Sequence, residues 1–206
     1  MHLDAELVLA ADPCGAANTA LVAAAGRAGG TGILDLAAPA AAGDLAADLA
    51  ADLGRRRVAS IWLRPGVRVV PADLAEVRAL GASELVAAVV VEVAGRGAAA
   101  GEAIAAWRAA GHRVVAQVTD RGAGREAVAA GAEGLIASGC EAGGAVGTTE
   151  AFILFQQLVD LGVPVWVRGG IGVHTAAAVV AGGGAGVVLD AQLGLLRESA
   201  LGVDAR

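Results

Sequence analysis

The sequence predicts an α/β fold in which parallel strands close into a compact (β/α)8 barrel. Apolar runs of strand length recur along the chain, and most are continuous, as expected for parallel strands covered on both faces. Alanine-rich segments of helical character separate these runs without interruption. Gly-Ala pairs such as Gly131-Ala132 and Gly184-Ala185 end helical segments, and about eight strand-helix units fit the length. An open doubly wound sheet is the alternative architecture.

The elements follow one another with short connections. The predicted strands are residues 7–10, 32–36, 58–63, 85–93, 113–118, 134–138, 163–167 and 186–189. The predicted helices are residues 17–27, 44–53, 72–80, 98–110, 125–130, 150–161 and 175–181. A glycine directly after a helix fits a left-handed cap, which we expect at Gly29, Gly111 and Gly162. Because no linker or composition shift divides residues 1–206, a single domain is predicted. The lack of a clear final helix suggests either a domain excised from a longer chain or a frayed natural terminus.

Composition excludes several classes of function. The chain is 56% hydrophobic but only 2% aromatic, its net charge is −6, and its basic residues are all arginine. Without lysine, a Schiff base and a Walker-type phosphate site are excluded. The acidic balance argues against nucleic acid as a partner. No apolar run is long enough to span a membrane and no signal peptide is visible, so a cytoplasmic protein is predicted. Two cysteines far apart in sequence predict neither a disulfide scaffold nor a metal site.

Ligands of such barrels bind at the carboxyl ends of the strands. The segments expected there are residues 12–15, 64–66, 92–97, 119–120, 139–147, 169–173 and 190–192. Among them, Gly169-Gly170-Ile171-Gly172 follows an apolar strand and precedes a helix. Glycine lets the backbone approach a phosphate, and the free N–H groups at a helix start favour an anion. A phosphate site is therefore one interpretation, and a tight turn without a ligand is the other.

Several segments resemble the nitronate monooxygenase (2-nitropropane dioxygenase) family, TIM-like FMN barrels that include FMN-dependent enoyl reductases. The similar segments are residues 12–16, 28–32, 117–119, 127–131, 134–147 and 165–172. Residues 170–178 and 187–199 are most similar to nitronate-monooxygenase-like segments of bacterial polyketide or fatty-acid synthases. The resemblance implies FMN as the cofactor. The residues it places around FMN are Gln117, Gly143, Gly144, Gly169, Gly170, Gly172, Asp190 and Ala191.

Two positions depart from the family pattern. Ala145 stands where the family has its histidine base, so nitronate oxidation by the usual route is not expected. Asp190-Ala191 replaces a Gly-Thr pair that helps to hold the flavin phosphate in the family. A carboxylate beside a phosphate costs about 1–4 kcal/mol when the two are a few ångströms apart. We expect Arg168 to pair with Asp190, which would fill the phosphate pocket with protein and weaken FMN binding.

The remaining candidates carry weaker signals. Cys140 and Glu141 are the candidate catalytic residues, a thiol and a general acid respectively. The alternatives are that Cys140, like Cys14, fills a small buried space and that the Glu141 carboxylate accepts hydrogen bonds from loop N–H groups. His174 is expected at a helix start, and Trp166 is expected to pack against helices.

Three functions remain open at this point. The first is an FMN-dependent oxidoreductase of the enoyl reductase or nitronate monooxygenase type, acting on an acyl-thioester or other small-molecule substrate. The second is a catalytically inactive structural or docking barrel of a megasynthase that no longer binds FMN and whose partners are the other synthase domains. The third, a phosphate-sugar isomerase or synthase, needs paired acid and base residues that the sequence does not offer.

Overall fold

The computed structural model describes residues 7–14, 18–35, 66–69, 88–199 and 201, with only the backbone described for 66–69. In these ranges eight strands run parallel and pair in chain order, and the first also pairs with the last. The strands are β1 (Val8–Ala11), β2 (Thr31–Asp35), β3 (Gly66–Val69), β4 (Ala88–Glu92), β5 (Val114–Val118), β6 (Gly134–Ser138), β7 (Val165–Arg168) and β8 (Gly186–Leu189). The architecture is a curled parallel sheet of the TIM type.

Helices alternate with the strands wherever the connections are described. They are α1 (Thr19–Arg27), α2 (Ala98–Ala109), α3 (Arg121–Ala129), α4 (Ala151–Leu158) and α5 (Val173–Ala181). These helices follow β1, β4, β5, β6 and β7, while β8 leads into a 3-10 turn, Ala191–Leu195. A second 3-10 turn, Val159–Leu161, continues α4. The predicted left-handed glycines after α1, α2 and the 3-10 turn are confirmed, with φ of 86°, 87° and 78° at Gly29, Gly111 and Gly162.

The third strand differs from the prediction. The predicted third strand, residues 58–63, lies outside the described residues, as do the predicted helices at 44–53 and 72–80. The structure forms β3 from Gly66–Val69, which pairs with β2 and β4. Gly66 was expected in a loop at the carboxyl end of a strand, and that expectation is wrong because Gly66 begins β3.

Side chains of the strands divide between two apolar cores. Alternate residues point to opposite faces of a strand. One set, including Val91, Val114, Ala137 and Val167, packs against helix residues. The other set fills the interior of the sheet, and no helix residue belongs to it: Leu9, Ala11, Ile33, Val90, Val115, Ile136, Trp166 and Val188. Trp166 therefore lies inside the ring of strands, and the prediction that it packs against helices is wrong.

Helix starts are fixed by side-chain caps at two places near the carboxyl ends of strands. The side chain of Asn18 accepts a hydrogen bond from Leu21 N at the start of α1, and that of Asp120 accepts one from Ala123 N in α3. These bonds satisfy N–H groups that a first helical turn leaves without partners. Within the described part of the chain, no helix has the length and apolar character that crossing a membrane requires.

Candidate functional site

A layer of polar side chains lies at the carboxyl ends of the strands. Each follows an interior apolar residue by two positions and so shares its inward face. All are at least nine-tenths buried: Asp35, Glu92, Gln117, Ser138, Arg168 and Asp190. Burial of charged groups is costly unless they are paired or hydrogen-bonded. This layer is therefore the candidate site for binding or chemistry inside the sheet.

Arg168 and Asp190 form the centre of this layer. The Nε of Arg168 donates to Oδ2 of Asp190 at 3.0 Å, with side-chain exposures of 4% and 5%. The Nη1 of Arg168 donates to Oε1 of Gln117 at 2.9 Å. The ion pair predicted from the sequence is present, and it joins β7 to β8. Burial makes the pair interdependent, because either charge alone would be left without a counter-ion in a region of low polarity.

The loop between β6 and α4, residues 139–147, lies across this layer. The N–H of Gly143 donates to Oδ2 of Asp190 at 3.3 Å. A Cβ built at Gly143 would lie 3.7 Å from the carbonyl oxygen of Pro13 and 3.8 Å from Nη2 of Arg168. At the far end of the loop, a Cβ at Gly147 would lie 2.7 Å from the carbonyl oxygen of Thr119. This loop, called the crossing loop below, therefore lies close to the ends of β1, β5, β7 and β8.

The side chain of Glu141 is held between the start of α4 and the glycines that follow β7. Both of its carboxylate oxygens accept from the N–H of Ala151, the first residue of α4, at 3.1 Å. Its side chain lies against Gly169 and Gly170, because a Cβ at either position would come within 3.3 Å of Glu141 Cγ. Gly169 and Gly170 have φ of 113° and 59°, so glycine is required there. The carboxylate bonds a backbone N–H, as one sequence interpretation expected, but this N–H belongs to the first turn of α4 and not to the loop. A catalytic role for Glu141 stays a prediction.

The cysteines do not fill the core. Both Cys14 and Cys140 are exposed, so the expectation of small buried side chains is wrong. Partial desolvation, then the carboxylate of Glu141 and, more weakly, that of Glu150 raise the pKa of the Cys140 thiol. A nucleophilic thiol needs the opposite shift, because the thiolate is the reactive form. The environment of Cys140 therefore opposes catalysis by this residue at neutral pH, and the role assigned to it remains a prediction.

The other residues expected around the cofactor lie at the same end of the sheet. Gly144 has a φ of 82° in the crossing loop, and Gly172 is the N-cap of α5. The N–H of Ala191 donates to Oδ1 of Asp190 at 2.7 Å. His174 is the second residue of α5 and is exposed, as expected for a residue at a helix start. Gln117 belongs to the Arg168 network described above.

Sequence reasoning missed three polar residues near the carboxyl ends of the strands: Asp35 of the layer described above, Ser138 and Asn18. Ser138 is fully buried, and its Oγ and the Nε2 of Gln117 have no hydrogen-bond partner among the described residues. The alternation that places Ile136 in the interior could have identified Ser138 as its inward polar neighbour. Asn18 was also missed: its Nδ2 donates to Asp12 Oδ2 at 2.9 Å and to the carbonyl oxygen of Glu198. An asparagine directly before a helical segment is a common N-cap signal.

The arrangement does not fit a flavin phosphate. A phosphate at the ends of β7 and β8 would need the N–H groups of Gly143 and Ala191 and the charge of Arg168. All three donate instead to the carboxylate of Asp190. The N–H of Asp190 is also taken, by Oε1 of Gln192 at 3.4 Å. A phosphate dianion added beside this carboxylate would meet like-charge repulsion, and the backbone N–H groups of Gly143, Asp190 and Ala191 already have acceptors. In the described ranges, no cluster of His, Cys, Asp and Glu is arranged to hold a metal ion.

Solved structures with this fold include FabK from Thermotoga maritima, with a TM-score of 0.79 and 26% identity over 96% of this chain. A mutant of the same FabK gives the same values. Nitroalkane oxidase from Streptomyces ansochromogenes has a TM-score of 0.71 and 24% identity, and covers 95% of this chain and 68% of its own. Thiamine phosphate pyrophosphorylase from Pyrococcus furiosus has a TM-score of 0.69 and 16% identity, over 95% of this chain and 91% of its own. The last two identities establish the fold alone.

This chain spans 61% of the length of FabK and 65% of that of its mutant. No protein-family model matches the sequence, and the search of curated proteins found no match. The structural neighbours confirm the resemblance to nitronate monooxygenase-like barrels.

Proposed function

We propose that this chain is a (β/α)8 barrel domain of the enoyl reductase and nitronate monooxygenase type that does not bind FMN and serves as a structural or docking domain in fatty-acid or polyketide synthesis. The observation that carries this proposal is the Asp190 carboxylate, which accepts hydrogen bonds from Arg168, Gly143 and Ala191. With the Asp190 carboxylate bound to Arg168, Gly143 N and Ala191 N, the phosphate of FMN has no anion-binding position at the end of β8. The partners proposed are other synthase domains.

The loss of a proton acceptor supports the same conclusion. Ala145 is a half-buried residue of the crossing loop and has no group that could take or give a proton. The acidic side chains nearest the mouth are engaged elsewhere: Asp190 with Arg168, Glu141 with the N–H of Ala151, and Glu92 with Arg96 at 4.0 Å. General acid–base catalysis depends on a group that is free to exchange its proton with the substrate, and these carboxylates already have partners.

A second candidate is an FMN-dependent oxidoreductase that acts on an acyl-thioester or another small molecule. It is favoured by the 26% identity with FabK over 96% of this chain. For this function, the ion pair between Arg168 and Asp190 would have to open and the crossing loop would have to move. If FMN were bound, its ring would supply the hydride chemistry.

Titration of FMN with the purified wild-type chain separates the two candidates. Riboflavin serves as the control ligand that lacks the phosphate. The proposal predicts colourless protein and no quenching of FMN fluorescence at tens of micromolar protein. Yellow protein that retains FMN through gel filtration, or saturable quenching by FMN but not by riboflavin, would overturn the proposal and support the oxidoreductase.

A further inference from the structure

We infer that the carboxylate of Asp190 acts as a built-in anion in a site whose chemistry is that of a phosphate pocket. Its two oxygens receive three donors: Arg168 Nε at 3.0 Å, Gly143 N at 3.3 Å and Ala191 N at 2.7 Å. A guanidinium combined with two backbone N–H groups is a typical donor set for one phosphate oxyanion. Wild-type protein therefore holds this site closed with its own side chain.

Burial is the reason that this site needs an anion. Arg168 is 3% exposed, and a guanidinium stays charged under all conditions compatible with folding. A buried cation of this kind needs a counter-ion. When Asp190 is neutralised, the remaining acceptor on Arg168 among the bonds described is Oε1 of Gln117, which is uncharged. The positive charge then becomes available to an anion from solution.

A second observation also points to a ligand at this place. The Nε2 of Gln117 belongs to the same network, is buried, and has no hydrogen-bond partner among the described residues. Since Oε1 of Gln117 faces Arg168, Nε2 is a further donor beside the guanidinium. Buried side-chain donors are nearly always satisfied in proteins, so an unpaired one in a polar layer fits a site built for a ligand with acceptor oxygens. The ligand class that matches these donors is an inorganic phosphate or the phosphate of a monoester.

The test uses the full chain carrying Asp190→Ala, with inorganic phosphate as the probe. Thermal unfolding is followed in phosphate and in sodium chloride of matched ionic strength. Phosphate at about 100 times its Kd should raise the Tm of D190A by about 5–10 °C. Wild type should shift by less than about 1 °C, because Asp190 already occupies the site. The double variant R168M/D190A, which lacks the cation, should not respond to phosphate.

Two results with D190A and the wild type would overturn the inference. A folded D190A that responds to phosphate no more than to chloride would overturn it, as would a wild-type response equal to that of D190A. If D190A does not fold in chloride, refolding from urea replaces the melting measurement. The inference then requires phosphate, but not chloride, to restore the folded circular dichroism spectrum, and failure of that rescue refutes it. The isosteric variant D190N should need less phosphate to fold, because its side-chain oxygen still accepts a hydrogen bond.

Titrations with FMN and riboflavin distinguish a site for free phosphate from a site for phosphate monoesters. FMN should bind D190A if the crossing loop admits a monoester, whereas riboflavin should not bind in either case. Binding of inorganic phosphate alone assigns the site to the free anion, and binding of FMN as well assigns it to monoesters. The inference rests on the proposed function only in taking Asp190 to exclude a phosphate from wild type. FMN binding by wild type would refute the proposed function, whereas the response of D190A to inorganic phosphate tests the built-in anion separately.

Discussion

Replacement of Arg168 by methionine tests how far the buried pair stabilises the protein. The change removes the donor at 3.0 Å from Asp190 and the donor at 2.9 Å from Gln117. Asp190, 4% exposed, keeps only two backbone N–H donors. Breaking a buried ion pair by removing one partner costs about 3–5 kcal/mol. For a chain of this size that loss corresponds to a fall in Tm of about 6–20 °C.

Urea unfolding followed by circular dichroism at pH 7 gives the free energy of unfolding for R168M, D190N and the double variant R168M/D190N. The double variant leaves no unpaired charge and should recover most of the loss, with a coupling energy of about 2–3 kcal/mol. The matched control is Arg108→Met, which breaks an ion pair with Glu133 whose side chains are both 41% exposed. That pair should contribute less than about 1 kcal/mol. The reasoning fails if R168M costs no more than R108M, or if the double variant loses as much as the sum of the single variants.

Three further predictions concern packing, a helix cap and a thiol. Gly32→Ala should lower the free energy of unfolding by about 1–3 kcal/mol, because its Cβ would lie 2.5 Å from Val22 Cα. Gly101→Ala in the middle of α2, where the nearest neighbour of the new Cβ is at 3.8 Å, should raise the free energy of unfolding by about 0.5–1 kcal/mol. Urea unfolding compares the two variants, and equal effects would contradict the packing around Gly32. Asp120→Ala should cost about 1 kcal/mol by removing the N-cap of α3, and an unchanged urea midpoint would show that the cap is dispensable. Glu141→Gln in a Cys14→Ser background should speed alkylation of Cys140 at pH 7.5, because loss of the carboxylate removes one cause of the raised thiol pKa and increases the thiolate fraction. Glu133→Gln in the same background is the control. Equal alkylation rates in the two variants would show that Glu141 does not raise the thiol pKa.

The sequence predicted the strands well because continuous apolar runs between glycines are a local signal. β6 and β8 have the predicted bounds, and the described helices begin within four residues of the expected positions. The faces of the strands could not be predicted in the same way. When both faces are covered, the interior and exterior residues are equally apolar, so nothing in the run around Trp166 indicated that its ring would fill the interior.

Within the site, the sequence predicted the ion pair between Arg168 and Asp190 but not the path of the loop beside it. Arg168 and Asp190 end adjacent predicted strands, and opposite charges in that position pair readily, so their contact could be inferred. The path of a nine-residue glycine-rich loop could not, because glycine accepts many backbone conformations and no side chain fixes the route. The hydrogen bond from Gly143 to Asp190 and the placement of Glu141 over Gly169 therefore emerged only from the structure.

A crystal structure of the wild-type chain grown with millimolar FMN at pH 7 tests the central claim most directly. We expect Oδ2 of Asp190 within hydrogen-bond distance of Arg168 Nε and Gly143 N, with no flavin at the carboxyl ends of the strands. A flavin phosphate bound to the N–H groups of Gly143 and Ala191, with Asp190 turned away from Arg168, would contradict the account.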